Sequence, residues 1–198
     1  MTAIRNLAAA AALLAATAAA AEPPAVGTRI LWQDMDAALP GPTWTVTAAG
    51  PDMVEVAETD AGTLRRIRIA AGLFPARTAD GAATRFDRTR LAALPPLEPG
   101  RVVTFDAVED GPAGSARWFV HVAVAERRIE ATPAGAHPAL AIEHHRRGTG
   151  PDGRPLETVT EWAVAPALGL PVAIRTWRLA EGRAILVGDR RALAVLPP

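Results

Sequence analysis

Four histidines, one serine and scattered carboxylates are the side chains whose types could do chemistry in this chain: His121, His137, His144, His145, Ser115, and acids such as Glu143 and Glu161. There is no Cys, Lys or Tyr, so nucleophiles and bases reduce to carboxylates, Thr and His. His144 and His145 are adjacent on a segment of strand type and so point to opposite faces, where they cannot jointly grip one metal. No two histidines stand i, i+2 on a strand or i, i+4 on a helix, so the usual two-ligand nucleus is missing from the local spacing. Ser115, in GPAGSARW, lacks the G-x-S-x-G elbow and reads as a turn residue. The acidic turns Glu109-Asp110-Gly111 and Pro151-Asp152-Gly153 lack a calcium-loop pattern, and GTGPDG at 148–153 lacks the Lys and helix of a phosphate-binding loop. The sequence therefore predicts no catalytic residue, no metal ligand and no cofactor.

Apolar surface is the remaining candidate. The five tryptophans, Trp32, Trp44, Trp118, Trp162 and Trp177, would suit an acyl chain or another apolar ligand if they lined a cleft. Alternatively they pack the core of a protein with four Phe and no Tyr. The expected wall residues are Trp118, Val120 and Val122, with Trp162 and Ile174 beside them. His121, in the same apolar strand, either contacts a ligand in the concavity or is a hydrogen-bonded core histidine, the commoner arrangement for a buried polar group.

These side chains need a sheet to hold them. Runs of strand type stand at 29–35, 43–48, 53–58 and 63–70, then at 101–108, 116–126, 139–145, 156–164, 171–180, 183–188 and 192–196. Turn signals such as Pro40-Gly41-Pro42, Gly50-Pro51-Asp52 and Asp60-Ala61-Gly62 separate them. The pattern predicts an all-β domain: one strongly curved antiparallel sheet, an open or half barrel of about ten to twelve strands. One short helix is expected near 86–94, capped by Asp87 and stopped by Pro95-Pro96, either packed on the sheet or serving as a surface connector. In strand 116–126, Trp118, Val120, Val122 and Val124 share one face. Phe119, His121 and Ala123 share the other, and the apolar character of both faces predicts a strand covered on both sides. In the hairpin EWAVAPALGLPVAIRTWRL, placing Val164 opposite Val172 pairs Trp162 with Ile174 and Thr160 with Thr176 on one face. It pairs Glu161 with Arg175 and Val159 with Trp177 on the other, a match that fixes register.

Composition bounds the setting. The 198 residues suit one domain, 49% of them are hydrophobic, and the formal net charge is zero. All 21 basic residues are Arg, scattered among acids rather than gathered on a face, which argues against nucleic-acid binding. Residues 1–21 carry one positive charge, Arg5, then an apolar run and small residues before Glu22, the pattern of a cleavable secretory signal peptide. The run is shorter than the roughly 20 residues of a spanning helix, so no transmembrane anchor is expected after cleavage. Residues 22–198 are then a single periplasmic β-domain. The absence of cysteine rules out disulfides and a lipidated N-terminal cysteine in this sequence.

EWAVAPALGLPVAIRTW resembles the C-terminal signature of a bacterial periplasmic family of unknown function, of the domain-of-unknown-function 3108 type. PLEPGRVVTF, the following WFVHVAVAERRIEATPAGAHPALAIEHHRRG, and VGTRILWQDMD near the start resemble the same family's order of elements, over most of residues 26–180. The resemblance implies an open β-barrel similar to the outer-membrane lipoprotein carriers and receptors, wrapping an apolar concavity. The leading functional expectation is a non-enzymatic envelope protein binding a lipid-like ligand or partner segment there. The alternatives are an assembly partner that engages another envelope protein through a sheet edge, and a hydrolase built on His121 with a nearby carboxylate.

Overall fold

The computed structural model describes residues 23–35 and 41–198; the expected signal segment lies outside the described residues. Twelve antiparallel strands follow one another around a closed barrel. They are β1 (Arg29–Asp34), β2 (Thr43–Ala49), β3 (Met53–Asp60), β4 (Thr63–Ala70), β5 (Phe74–Arg77), β6 (Ala83–Phe86), β7 (Val102–Gly111), β8 (Gly114–Thr132), β9 (Gly135–Thr149), β10 (Pro155–Ala165), β11 (Leu170–Ala180) and β12 (Arg183–Leu196). The all-β, strongly curved sheet read from the turn spacing is present, and pairing of β1 with β12 shuts it, from Arg29 opposite Leu196 to Asp34 opposite Arg190. The two segments expected at 183–188 and 192–196 are one strand, while β5 and β6 appear where no strand was expected.

The alternating pattern fixes which residues point inward. Trp118, Val120, Val122 and Val124 of β8 are all buried, and across the ladder they meet Phe105 and Val103 of β7 and Ile142 and His144 of β9. The other face of β8 is not covered, contrary to the expectation for 116–126: Phe119 is 47% exposed, and His121 and Ala123 are half-buried. The apolar character of that face reflects strand preference rather than a second packed layer.

The hairpin of β10 and β11 has the expected register at Trp162–Ile174, Thr160–Thr176, Glu161–Arg175 and Val159–Trp177. The anchor fails: Val164 faces Pro171, and the ladder shifts between Ala163 and Val164. Pro171 has no N–H to donate, so a regular ladder cannot pass through it, and the strand takes up an extra residue there.

One end of the barrel is sealed. Helix α1 (Arg88–Ala92) starts at Asp87, whose carboxylate accepts from the Thr89 N–H at 2.9 Å. Leu91, Leu94 and Leu97 are buried from this connection, and the Arg101 guanidinium donates to the Ala93 and Pro95 carbonyls at 2.8 and 3.2 Å. The segment is thus packed into the barrel end rather than a plain connector.

Strands β8 and β9 run past the barrel wall as an arm. Beyond an irregularity between Val124 and Glu126, the arm turns over the outer face of β10–β12. There Arg128 binds Glu161 at 2.5 Å, Arg175 binds Glu130 and, at 2.8 Å, Glu161, and the Ala134 N–H donates to the Ala192 carbonyl at 2.9 Å. The outward-facing Ala163 and Ala173 are buried beneath it, their small side chains allowing the close approach. Burial alone would raise the Glu161 carboxyl; the guanidiniums of Arg128 and Arg175 more than offset this and hold it below the usual carboxylate range.

Candidate functional site: the open end of the barrel

The turns β3–β4, β5–β6, β7–β8, β9–β10 and β11–β12 all lie at the end opposite α1, because alternate strands run the same way in an antiparallel barrel. Toward this end the inward-facing residues change character. Thr158, Thr160, Ile174, Thr176 and Arg190 belong to the inner rows of β10, β11 and β12 yet are only partly buried. An inward residue that keeps solvent exposure must be reached through the barrel mouth. The Thr160 and Thr176 hydroxyls stand 3.3 Å apart across the ladder and line one wall of this mouth.

Two ion-paired groups flank it. On one side Arg190 reaches Asp34 at 2.8 Å and Glu58 at 3.2 Å, and Glu58, almost fully buried, also accepts from the Trp44 indole N–H at 2.9 Å. On the other, Arg146 lies 4.4 Å over the Trp118 ring and donates to Glu109 at 2.6 Å. The Arg146 Nε and the Trp118 Nε1 are buried without a hydrogen-bonding partner among the described residues. Toward this end the inner rows thus carry hydroxyls and ion-paired guanidiniums, and below them the interior is apolar.

The expected wall residues point into the barrel. Trp118, Val120, Val122 and Trp162 are buried in the barrel core, and Ile174 packs partly buried against it. His121 is not among them: it sits on the outer face, half-exposed, one strand position away from the inward set. A small depression of about 40 Å³, lined by Pro24, Pro51, Ala71, Leu73 and Gly169, lies instead at the sealed end, with room for water but not for an acyl chain.

The inward histidine is His144, which the sequence alone showed only to lie on the face opposite to that of its neighbour His145. It is fully buried, edge-on to Phe74 at 5.6 Å and to Trp162 at 5.1 Å. Neither ring nitrogen has an aligned hydrogen bond; the Leu73 backbone is near enough to favour the charged form without meeting that geometry. Burial dominates and, with the Arg146 charge adding to it, pushes the imidazole down to about 4.

On the outer face the register brings two other histidines together. His121 of β8 lies directly opposite His145 of β9. The His145 Nε2 is 2.6 Å from Glu157 Oε1, whereas His121 makes no side-chain hydrogen bond among the described residues. No carboxylate is hydrogen-bonded to His121 among the described residues, so the pairing that a His121 hydrolase would need is not formed.

No family model matches the chain. No curated protein matches it either. Among solved structures, a protein of Bacteroides fragilis inferred to be exported and assigned a YmcC-like fold is similar to it, with a TM-score of 0.50 and 15% identity over 88% of this chain and 97% of that one. A protein of Parabacteroides distasonis inferred to be a lipoprotein is similar to the same extent, with a TM-score of 0.50, 12% identity and the same coverage. At such identities the likeness carries the barrel fold, and neither the unknown-function family nor the lipoprotein carriers are reached by it.

Proposed function

We propose that this chain is an exported, periplasmic envelope protein that binds an amphiphilic, lipid-like ligand through the open end of its barrel, without catalysing a reaction. The observation that carries the reading is the partial exposure of the inward-facing Thr158, Thr160, Ile174 and Thr176 at the open end, above the packed apolar core that includes Trp162, Val122 and Val120. Export is supported by the signal-like residues 1–21 and by the two structural neighbours, one inferred to be exported and the other inferred to be a lipoprotein. Native mass spectrometry on protein purified from the periplasm tests the reading. A discrete extra mass released by organic solvent supports it; a bare polypeptide mass that stays bare after incubation with envelope lipids overturns it.

A second reading has its own observation. Ile185, Leu186 and Val187 on β12 are 51%, 37% and 55% exposed, at the open end and beyond the last residue paired with β1. A run of exposed apolar residues on a strand whose edge has no partner among the described residues suits an extended segment of another envelope protein adding to the sheet. Cross-linking from a photoreactive residue at position 187 in cells tests it. Capture of a defined envelope protein supports this reading, and cross-links confined to lipid support the first.

A further inference from the structure

We infer that His121 and His145 form a binding site for a divalent transition-metal ion of the Zn²⁺, Ni²⁺ or Cu²⁺ type on the outer wall of the barrel. Residues directly opposite in an antiparallel pair carry their Cβ atoms roughly 4.5–5.5 Å apart on one face, close enough for two imidazoles to meet at one ion with bonds of about 2 Å. Both rings are partly exposed, so an ion reaches them without any opening of the fold. Local spacing hid the pair, since the two residues come together only through the β8–β9 register.

The second observation is the carboxylate behind one ring. Glu157 accepts from the His145 Nε2–H at 2.6 Å, which orients the imidazole and leaves Nδ1 as the lone-pair atom. A ligating histidine whose other nitrogen is held by a carboxylate is the usual outer arrangement of a metal site. His121, with no competing bond, keeps a nitrogen available. One rung along the same face, opposite the small Ala123, stands Glu143, which makes no hydrogen bond or ion pair among the described residues and offers an oxygen after a change of rotamer. The rung on the other side holds Phe119 and Arg147. Among the described residues no three such side chains already converge, so the site is a two-histidine nucleus whose remaining positions are filled by water or Glu143. Two imidazoles select Zn²⁺, Ni²⁺ and Cu²⁺ over Mg²⁺ and Ca²⁺.

Isothermal titration of tag-free protein with ZnCl₂ at pH 7.5 tests the inference. One equivalent is expected to bind, His121→Ala and His145→Ala each to weaken binding at least tenfold, Glu157→Gln to weaken it about tenfold, and His137→Ala to leave it unchanged. Circular dichroism checks that each variant is folded. In a second readout, Cu²⁺ should broaden amide NMR signals selectively around residues 121 and 145. Binding unaffected by both histidine variants, no measurable heat up to millimolar zinc, or broadening centred elsewhere overturns the site.

Discussion

His144 makes stability depend on pH in a calculable way. Its folded-state value of about 4 lies below the ordinary 6.5 because the ring is buried among Phe74, Trp162 and Val122, with the Arg146 charge adding to the effect. A base whose folded value is depressed stabilises the fold fully above pH 6.5. That contribution falls as pH drops from 6.5 to about 4, the window in which the unfolded chain binds a proton and the folded chain does not. A difference of about 2.5 units at 1.36 kcal/mol each corresponds to roughly 3 kcal/mol lost across the window. Carboxylates also titrate near its lower edge, so the informative quantity is the difference from His144→Phe, which fills the same aromatic cluster and cannot titrate. Urea unfolding of both proteins at pH 7.5, 6.5, 5.5 and 4.5 should show the wild type losing stability relative to the variant by about 1.4 kcal/mol per pH unit below 6.5. Parallel profiles would refute the reasoning, since they would mean that His144 is protonated equally well in both states.

Other substitutions probe other parts of the fold. Gly148→Ala places a Cβ 1.8 Å from the Arg117 carbonyl oxygen and 2.8 Å from its carbon, so the β8–β9 ladder must part; a loss at or above the ~1–3 kcal/mol of an overpacked core is expected in urea unfolding. Arg175→Met leaves the buried Glu130 and the part-buried Glu161 short of a partner and should cost about 3 kcal/mol, with faster hydrogen exchange in residues 127–139 as the arm lifts. Asp87→Ala removes the cap of α1 and should lower stability by about 1 kcal/mol without altering the barrel's circular dichroism. Trp118→Ala should weaken ligand capture at the open end while the protein remains folded, as read by native mass spectrometry beside circular dichroism.

What the sequence made legible is what local pattern controls. Strand β4 at 63–70, the Asp87 cap and the Glu161–Arg175 register were readable because alternation, a capping side chain and opposite charges leave a local trace. Strands β5 and β6 left none: FPAR contains a proline, ATRF adjoins the helix, and four residues are too few to alternate visibly. The reach of β8 to Thr132 was missed because Glu126–Glu130 is polar, and that stretch is held by ion pairs with β10 and β11 rather than by burial. At the candidate site, alternation along β8 identified the inward Trp118, Val120 and Val122 correctly. The same alternation already set His121 apart from them, and only the register of β9 shows its true neighbour, His145.

The closed ring also orders events in time. Eleven of its twelve ladders join strands that are consecutive in the chain, so each can zip from a nearby turn at small loop-closure cost. The twelfth joins β1 to β12 and spans nearly the whole domain, Arg29 to Leu196. A chain emerging N-terminus first can thus build a curled ribbon early, but cannot close it until its last strand is free. Through that interval β1 and the growing front both present unpaired backbone, the moment of greatest exposure to mispairing. Removal of β12 would make that interval permanent, turning a ring without ends into a strip with two.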